Sequence, residues 1–171
     1  MLFVIGLIDN ESNEKLENIR HNTERLGIPT ASLYGHITFA TYTGDDDSAF
    51  ITSCKEILRQ FEPFTIHFEK IGQLPNTSIL AAFPTMDKEI TALHKSIVDT
   101  WKDSLTPWTQ EGIWKPHTTL LNDAEIDLNA ALQAIQRVFT PFDAEIHRIE
   151  FSRVSENGFE IVDAIDLVRI I

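Results

Sequence analysis

The run Lys115-Pro116-His117-Thr118-Thr119-Leu120-Leu121, in the second half of the chain, has a counterpart in the first half, His36-Ile37-Thr38-Phe39. Both copies are followed by a turn, a helical pattern and the residues Phe-x-Pro-Phe, at 61–64 and at 139–142. Two predicted strands then complete each copy. A repeat of this kind indicates two structural units of similar build. The sequence therefore predicts two related lobes, with motifs at 36–39 and 117–120.

Apolar periodicity predicts a chain of mixed α/β class in which strands and helices follow one another closely. The expected order is β-α-β-α-β-β-α-β-α-β-β. Strands are expected at about 2–8, 36–42, 64–73, 78–83, 117–121 and 142–154, with a last strand that ends at about 168. Helices are expected at about 11–26, 48–61, 87–103 and 127–139. The 7 Gly and 7 Pro leave little material for a flexible linker, so a single domain spanning residues 1–171 is expected.

The composition is that of a globular protein with a sizeable core, since 43% of the residues are hydrophobic and 23% are charged. The chain has 14 Lys and Arg against 26 Asp and Glu, a formal net charge of -12, which repels long nucleic acids and anionic membranes. No apolar stretch reaches the roughly 20 residues of a membrane span. The lone cysteine, Cys54, has no disulfide partner within the chain. We therefore expect a cytoplasmic monomer that binds neither membranes nor long nucleic acids.

Strand geometry brings the His and the Thr of each motif together. Side chains at i and i+2 of a strand point to the same face, so His36 projects with Thr38, and His117 projects with Thr119. A histidine titrates near neutral pH and can take or give a proton. Fixed hydroxyl donors can stabilise charge on phosphate oxygens. If the lobes pack about a pseudo-twofold axis, this set suits metal-independent cleavage of a phosphodiester, with His36 and His117 catalytic and Thr38 and Thr119 binding the phosphate.

Two aromatic residues, Tyr34 and Trp114, come shortly before the motifs. They can stack on a base or close the cleft, as aromatic side chains do in sites for single-stranded nucleotides. Ordinary packing between the lobes is the alternative, and the sequence does not choose between the two. The sequence contains no H-E-x-x-H, no C-x-x-C and no EF-hand loop. We expect no metal and no cofactor.

The chain resembles the two-histidine (2H) phosphoesterase superfamily, which includes the bacterial 2'-5' RNA ligases and RNA 2',3'-cyclic phosphodiesterases. The resemblance covers nearly the whole chain and rests on both His-x-Thr motifs, their separation, the element order and the Pro-His-x-Thr-Leu run at 116–120. It implies two pseudo-twofold-related lobes, each with an antiparallel-rich sheet and helices on its outer face. It places the four motif residues at the centre of a groove between the lobes.

The resemblance also implies a substrate class, because members of the superfamily act on 2',3'-cyclic or related phosphodiesters and some catalyse the reverse 2'-5' ligation. The main hypothesis is hydrolysis of a 2',3'-cyclic phosphate on a small nucleotide or an RNA end. One alternative is a protein that binds nucleotides or RNA ends in the same groove without turnover. Another is a phosphodiesterase for a different small cyclic phosphoester. The sequence does not show which histidine is the base and which is the acid.

Overall fold

The computed structural model describes residues 1–31, 33–155 and 158–169. The helices and strands follow one another in the predicted order, and their ends differ from the predicted ends by a few residues at most. In chain order they are β1 (Leu2–Ile8), α1 (Asn10–Arg25), β2 (His36–Tyr42), α2 (Asp47–Leu58), β3 (Phe64–Gln73), β4 (Ile79–Pro84), α3 (Lys88–Trp101), β5 (Thr118–Asn122), α4 (Leu128–Val138), β6 (Phe142–Ser155) and β7 (Gly158–Asp166). Two short 3₁₀ turns, Lys102–Ser104 and Pro107–Thr109, lie between α3 and β5. The mixed α/β class is therefore confirmed.

Within the described residues, the strands form one seven-stranded sheet in which neighbouring strands are antiparallel. The order is β2-β1-β6-β3-β4-β5, and β7 pairs with β6 beside this path. The long strand β6 takes part in the whole sheet. Its beginning, residues 142–146, pairs with β3, while residues 146–152 pair with β1 and residues 148–155 pair with β7. One strand therefore connects the two halves of the sheet.

The pairing divides the sheet into two halves with the same order. One half runs β2-β1-β6-β7, and the other runs β5-β4-β3-β6. The motif strands β2 and β5 are the outermost strands of their halves. Each of them has one partner strand among those described, β1 for β2 and β4 for β5. This matching order supports the internal repeat that the sequence contains. The organisation as a single domain of two repeated lobes stays a prediction.

The helices pack in two pairs, each of which covers part of the sheet. Helix α1 contacts α4 and β6, and α4 contacts β3, while α2 contacts α3 and β7, and α3 contacts β2. Apolar side chains at helical spacing explain this packing, since Ile90, Leu93 and Ile97 of α3 are fully buried. The largest fully buried side chains include four phenylalanines, Phe39, Phe50, Phe68 and Phe151. Burial of these rings is a main source of stability for the fold.

An aspartate stands at the N-cap of each of the four described α-helices, and three of these side chains accept a capping hydrogen bond. Asp46 accepts a hydrogen bond from the backbone N–H of Ala49, at 2.9 Å, so the acidic run at 45–47 forms the turn and the start of α2. Asp9 caps α1, and Asp127 caps α4. In the part of the chain that the structure covers, no helix has the length and apolar character that a membrane crossing needs.

Candidate active site

The first motif lies at the beginning of β2, where strand alternation orients its side chains. His36 and Thr38 are half-buried, whereas Ile37 and Phe39 between and after them are fully buried. This is the same-face arrangement that the i, i+2 spacing predicts. The buried neighbours fix the strand in the core, and the His and Thr side chains face the opposite side of the sheet.

The second motif has the same pattern of burial. His117 and Thr119 are half-buried, while Thr118 and Leu120 are buried. The strand was expected from residue 117, but β5 begins at Thr118, so His117 lies directly before it. The buried Thr118 agrees with a structural role for this residue.

Both motif strands contain a β-bulge directly after the motif threonine. In β2 the pairing with β1 shifts between Val4 and Ile5, which leaves Phe39 without an opposite residue. In β5 the pairing with β4 shifts at the corresponding place and leaves Leu120 unopposed. A bulge bends the strand and changes the face on which the following side chains lie. The two halves of the sheet therefore share an irregularity at the motif as well as a sequence.

The two motif histidines make the same hydrogen bond. Nδ1 of His36 lies 2.7 Å from the carbonyl oxygen of Tyr34, and Nδ1 of His117 lies 2.7 Å from the carbonyl oxygen of Lys115. A carbonyl oxygen only accepts, so Nδ1 carries the proton in each ring. In the neutral ring Nε2 is then the basic nitrogen. Each imidazole is held by the backbone two residues earlier and keeps Nε2 for a ligand.

Burial lowers the pKa of both histidines, and nearby charges also act on that of His36. For His36 burial is the largest cause, the hydrogen bond to Tyr34 opposes it, and the charges of His117 and Arg20 lower the pKa further. The carboxylate of Glu150 acts in the opposite direction on His36. The pKa of His117 is lowered by burial, against the hydrogen bond to Lys115. The imidazole of His117 is therefore close enough to His36 to act on its pKa.

Residues of both motifs meet at a large cavity. Thr38 and His117, from opposite halves of the sheet, line the same cavity of about 760 Å³. His36 lines a neighbouring cavity of about 260 Å³ together with Tyr34 and Glu150. Thr119 lines neither of these two cavities. The structure therefore brings Thr38 and His117 to one cavity and His36 to the neighbouring one.

Each motif threonine is held through its backbone by a side chain from elsewhere in the chain. The indole N–H of Trp114 donates to the carbonyl oxygen of Thr38 at 2.8 Å. The guanidinium Nη2 of Arg20, on α1, donates to the carbonyl oxygen of Thr119 at 2.9 Å. Trp114 belongs to the segment of the second motif and Arg20 to the first half of the chain. We call these two hydrogen bonds the cross-braces. Each of them connects one motif to the other half of the chain.

The two aromatic residues before the motifs have defined contacts. One face of the Trp114 ring stacks on His94, with centroids 3.8 Å apart, and Nε2 of His94 lies 2.8 Å from the carbonyl oxygen of Thr109. The hydroxyl of Tyr34 is within hydrogen-bond distance of the Ile8 carbonyl and of Asn10 Oδ1. Trp114 lines the large cavity and Tyr34 the small one. Stacking of either ring on a base stays a prediction.

Several residues at the site have no clear signal in the sequence. Arg20 is 3% exposed and forms an ion pair with Glu17, and its position four residues after the buried Leu16 is the one hint that it faces inward. Glu150 is also buried and accepts from Nε of Arg148 at 3.0 Å. The remaining ones, which only the folded chain brings to the site, are Thr41, Trp108 and Phe159.

Metal ligands are not grouped at this site. Among the residues that the structure describes, no group of three or more His, Cys, Asp or Glu side chains is placed to hold a metal ion. The groups at the site are instead two imidazoles with free Nε2 atoms and the hydroxyls of the motif threonines. Such a set can bind an oxyanion and transfer protons.

Comparison with known proteins agrees with this geometry. A family model described as the 2'-5' RNA ligase superfamily matches residues 9–158. The fold is similar to a solved phosphoesterase (TM-score 0.68, 15% identity, 98% of both chains) and to E. coli LigT complexed with 3'-AMP (TM-score 0.66, 15% identity, 98% of both chains). It is also similar to Kluyveromyces marxianus Usb1 (TM-score 0.51, 10% identity, 97% of both chains). Comparison with curated proteins finds no match. Because the family model spans most of the sequence, the chain belongs to the 2'-5' RNA ligase superfamily of 2H phosphoesterases.

Proposed function

We propose that the protein is a metal-independent phosphodiesterase that hydrolyses the 2',3'-cyclic phosphate of small nucleotides or RNA ends, with His36 and His117 as the acid/base pair. The observation that carries this proposal is the matching hydrogen bond at the two histidines, which leaves Nε2 of each ring available. Solved structures of E. coli LigT contain ATP, NADP+, 3'-AMP or phosphate. These ligands of a protein with the same fold support a small nucleotide as the substrate.

The proposed reaction needs one neutral and one protonated histidine. The neutral ring accepts a proton from water at Nε2 while the water oxygen forms a bond to phosphorus. The bond from phosphorus to one ribose oxygen breaks, and the protonated ring gives its Nε2 proton to that oxygen. The product is a nucleoside monophosphate with a free neighbouring hydroxyl. If a ribose 5'-hydroxyl takes the place of water, the same steps form a bond from that oxygen to phosphorus and release the 3'-oxygen as a hydroxyl, which gives a 2'-5' linkage.

The threonines are proposed to bind the phosphate. Hydroxyls of Thr38 and Thr119 would donate to the non-bridging oxygens, which gain charge in the transition state. The cross-braces hold the backbone of both residues, so the donors are fixed before the substrate arrives. Fixed donors stabilise the transition state without the cost of reorganisation.

The test is a turnover assay with 2',3'-cyclic mononucleotides and with an oligonucleotide that ends in a cyclic phosphate. His36→Ala and His117→Ala should each lower kcat by about 10²–10⁴-fold, because each removes one proton-transfer partner. Thr38→Val and Thr119→Val should lower kcat with the strands intact, since Val matches Thr in shape. His67→Ala is the matched control, because His67 lies on β3 away from both cavities and is 45% exposed.

The outcomes separate the alternatives. Turnover should survive exhaustive treatment with EDTA. A folded His36 or His117 variant that keeps more than about a tenth of the activity would contradict the acid/base assignment. Binding of a nucleotide without any turnover would indicate a binding protein, and turnover of another cyclic phosphoester alone would change the substrate. Recovery of a chelated enzyme by Zn²⁺ or Mn²⁺ would overturn the metal-independent mechanism.

A further inference from the structure

The two halves of the sheet differ at one place beside the motifs. In the first half the strand pairing leads from Thr38 across β1 to Glu150 of β6. In the second half it leads from Thr119 across β4 to Gly72 of β3. Because the halves have the same strand order, Glu150 and Gly72 hold corresponding positions. A carboxylate therefore lies beside the first motif at a position where the second has no side chain.

The carboxylate of Glu150 is buried near His36. Glu150 is 7% exposed, and it lines the small cavity together with His36 and Phe159. The ring of Phe159, on β7, packs edge-on against the imidazole of His36, with centroids 5.4 Å apart. These contacts restrict water around the imidazole, and charges interact more strongly where water is restricted. The charge of Glu150 is therefore placed to act on His36.

An arginine holds this carboxylate in place. Nε of Arg148 donates to Oε1 of Glu150 at 3.0 Å, and Nη1 of Arg148 donates to Asp166 at 2.9 Å. The two acceptors differ in exposure, since the side chain of Asp166 is 65% exposed and that of Glu150 is 9% exposed. A buried charge is normally paired. The bond from Arg148 therefore accounts for the burial of Glu150 and fixes its position.

The two motif histidines experience different charges. Burial lowers the pKa of His36, the positive charges of His117 and Arg20 lower it further, and Glu150 raises it. For His117 burial lowers the pKa, and the hydrogen bond to Lys115 opposes it. A histidine that transfers protons has to hold one near the working pH. Of the two rings, His36 is therefore the one for which a nearby negative charge offsets positive ones.

We propose that Glu150 is a positioning residue for His36, its carboxylate fixed by Arg148 at the small cavity so that one negative charge offsets the positive charges around this imidazole. The proposal rests on the proposed function for the use of His36 in proton transfer. Glu150 acts through His36 and makes no contact with the reacting phosphate. Removal of its charge should lower the pKa of His36.

The experiment is an NMR titration of the imidazole nitrogens in the free protein, with signals assigned from His36→Gln and His117→Gln. Glu150→Gln removes the charge and keeps an oxygen that accepts from Arg148. The protonated fraction of His36, measured above its titration midpoint, should fall about threefold or more. Asp166→Asn is the matched control, because Asp166 also binds Arg148 but is not among the groups that act on His36.

Gly72→Glu provides a second test, because it adds a carboxylate at the corresponding position of the other half. A Cβ atom on Gly72 meets the ring of Phe83 at an ordinary 3.6 Å, so a side chain fits there without overpacking. The Phe83 ring lies beside His117, with centroids 6.1 Å apart, so the added side chain lies on the motif face. The pKa of His117 should rise in this variant. If Glu150→Gln does not fold, this titration decides the proposal.

Three results would overturn the proposal. They are an unchanged titration of His36 in Glu150→Gln, an equal fall in Asp166→Asn, and an unchanged titration of His117 in Gly72→Glu. In assays with a 2',3'-cyclic nucleotide, Glu150→Gln should also move the limb of the kcat/KM profile that reports His36 to lower pH.

The titrations need no substrate, so failure of this inference can be told apart from failure of the proposed function. If His36 and His117 titrate as expected but the protein hydrolyses no cyclic ester, the proposed function fails and the action of Glu150 on His36 stands. If the protein hydrolyses cyclic esters and Glu150→Gln leaves the titration of His36 unchanged, the role of Glu150 is wrong and the phosphodiesterase stands.

Discussion

At the level of single residues, the position of His36 depends on the glycine before it. A Cβ atom on Gly35 would come 2.9 Å from Cδ2 of Leu16 and closer still to the side chain of Ile8. Both of these side chains are fully buried, so neither has room to move aside. The backbone of Gly35 also bonds with its surroundings, because its N–H donates to Oδ1 of Asn13 at 2.8 Å. The chain therefore enters the first motif through a contact that excludes any side chain.

We expect Gly35→Ala to lower the free energy of unfolding by about 1–3 kcal/mol, since overpacking forces neighbouring side chains from their rotamers. Urea unfolding, with the midpoint and the slope both fitted, measures the change. Gly72→Ala on β3 is the matched control, because the nearest atom to its added Cβ is an ordinary 3.6 Å away. If both variants have the stability of the wild type, the space around Gly35 is larger than described.

The sequence predicts some of the residues of the site well and others not at all. The alternation of a strand suffices to orient His36 with Thr38, since both lie before the bulge. The same alternation would place Thr41 on the face opposite to Thr38. Because the bulge at Phe39 shifts the alternation by one residue, Thr41 lies instead on the same face as Thr38. A bulge depends on the partner strand, which local sequence does not reveal. Arg20 is hidden for a similar reason, because its bond to Thr119 joins distant parts of the chain.

At the level of elements, the two cross-braces hold the motif strands through contacts from opposite halves of the chain. The Arg20 side chain leaves α1 and reaches the strand of the second motif, while Trp114 precedes that strand and reaches the first motif. The backbone of the two segments is connected as well, because the N–H of Ala31 donates to the carbonyl oxygen of Leu120 at 2.8 Å. Together these bonds set the separation of the two motifs. Small errors in such a separation cost large factors in rate.

Arg20→Met and Trp114→Phe should both lower kcat by about tenfold through loss of positioning. They should differ in their effect on pH dependence. The charge of Arg20 lowers the pKa of His36, so its removal should raise the pKa of His36 and shift one limb of the rate profile, the limb that reports His36, to higher pH. Trp114→Phe carries no change of charge and should leave the limb in place. Arg20→Lys, which retains the charge, is the control for the shift.

Equal profiles for all three variants would contradict this interpretation and leave the cross-braces with a role in packing alone.

Local sequence predicts helix α1 and the motif strands β2 and β5 with nearly correct ends, because apolar periodicity is a local property. The cross-braces themselves were not predicted. They join Arg20 to Thr119 and Trp114 to Thr38, pairs that lie 99 and 76 residues apart in the chain, so local sequence does not reveal them.

At the level of the whole molecule, burial of the two motif histidines is expected to move the pH optimum of the site to the acidic side. The pKa of both His36 and His117 lies below the ordinary value of 6.5. The productive form contains one neutral and one protonated ring, and its population is highest between the two pKa values of the coupled pair. The free protein should therefore contain most of this form below pH 6.5, and lose it as the pH rises through neutrality.

We expect a bell-shaped profile of kcat/KM with its maximum below pH 6.5. The profile of kcat should have its maximum at higher pH, because a bound phosphate anion favours the protonated ring and raises its pKa. Initial rates from pH 4.5 to 8.5 in buffers of constant ionic strength measure both profiles. A monotonic profile would leave one titrating group, and a maximum of kcat/KM above pH 7 would be inconsistent with the burial of the two rings.

The long strand β6 has a consequence for the way in which the protein is made. It pairs with β1 and β7 in one half of the sheet and with β3 in the other. The strand pairing of neither half can therefore be completed until the ribosome has passed Ser155. Until then β1 and β2, which precede β6 in the chain, present an open and largely apolar edge. Long-range pairing of this kind is slow. We therefore expect the nascent chain to expose unpaired strand edges, which favour aggregation, until β6 has been synthesised.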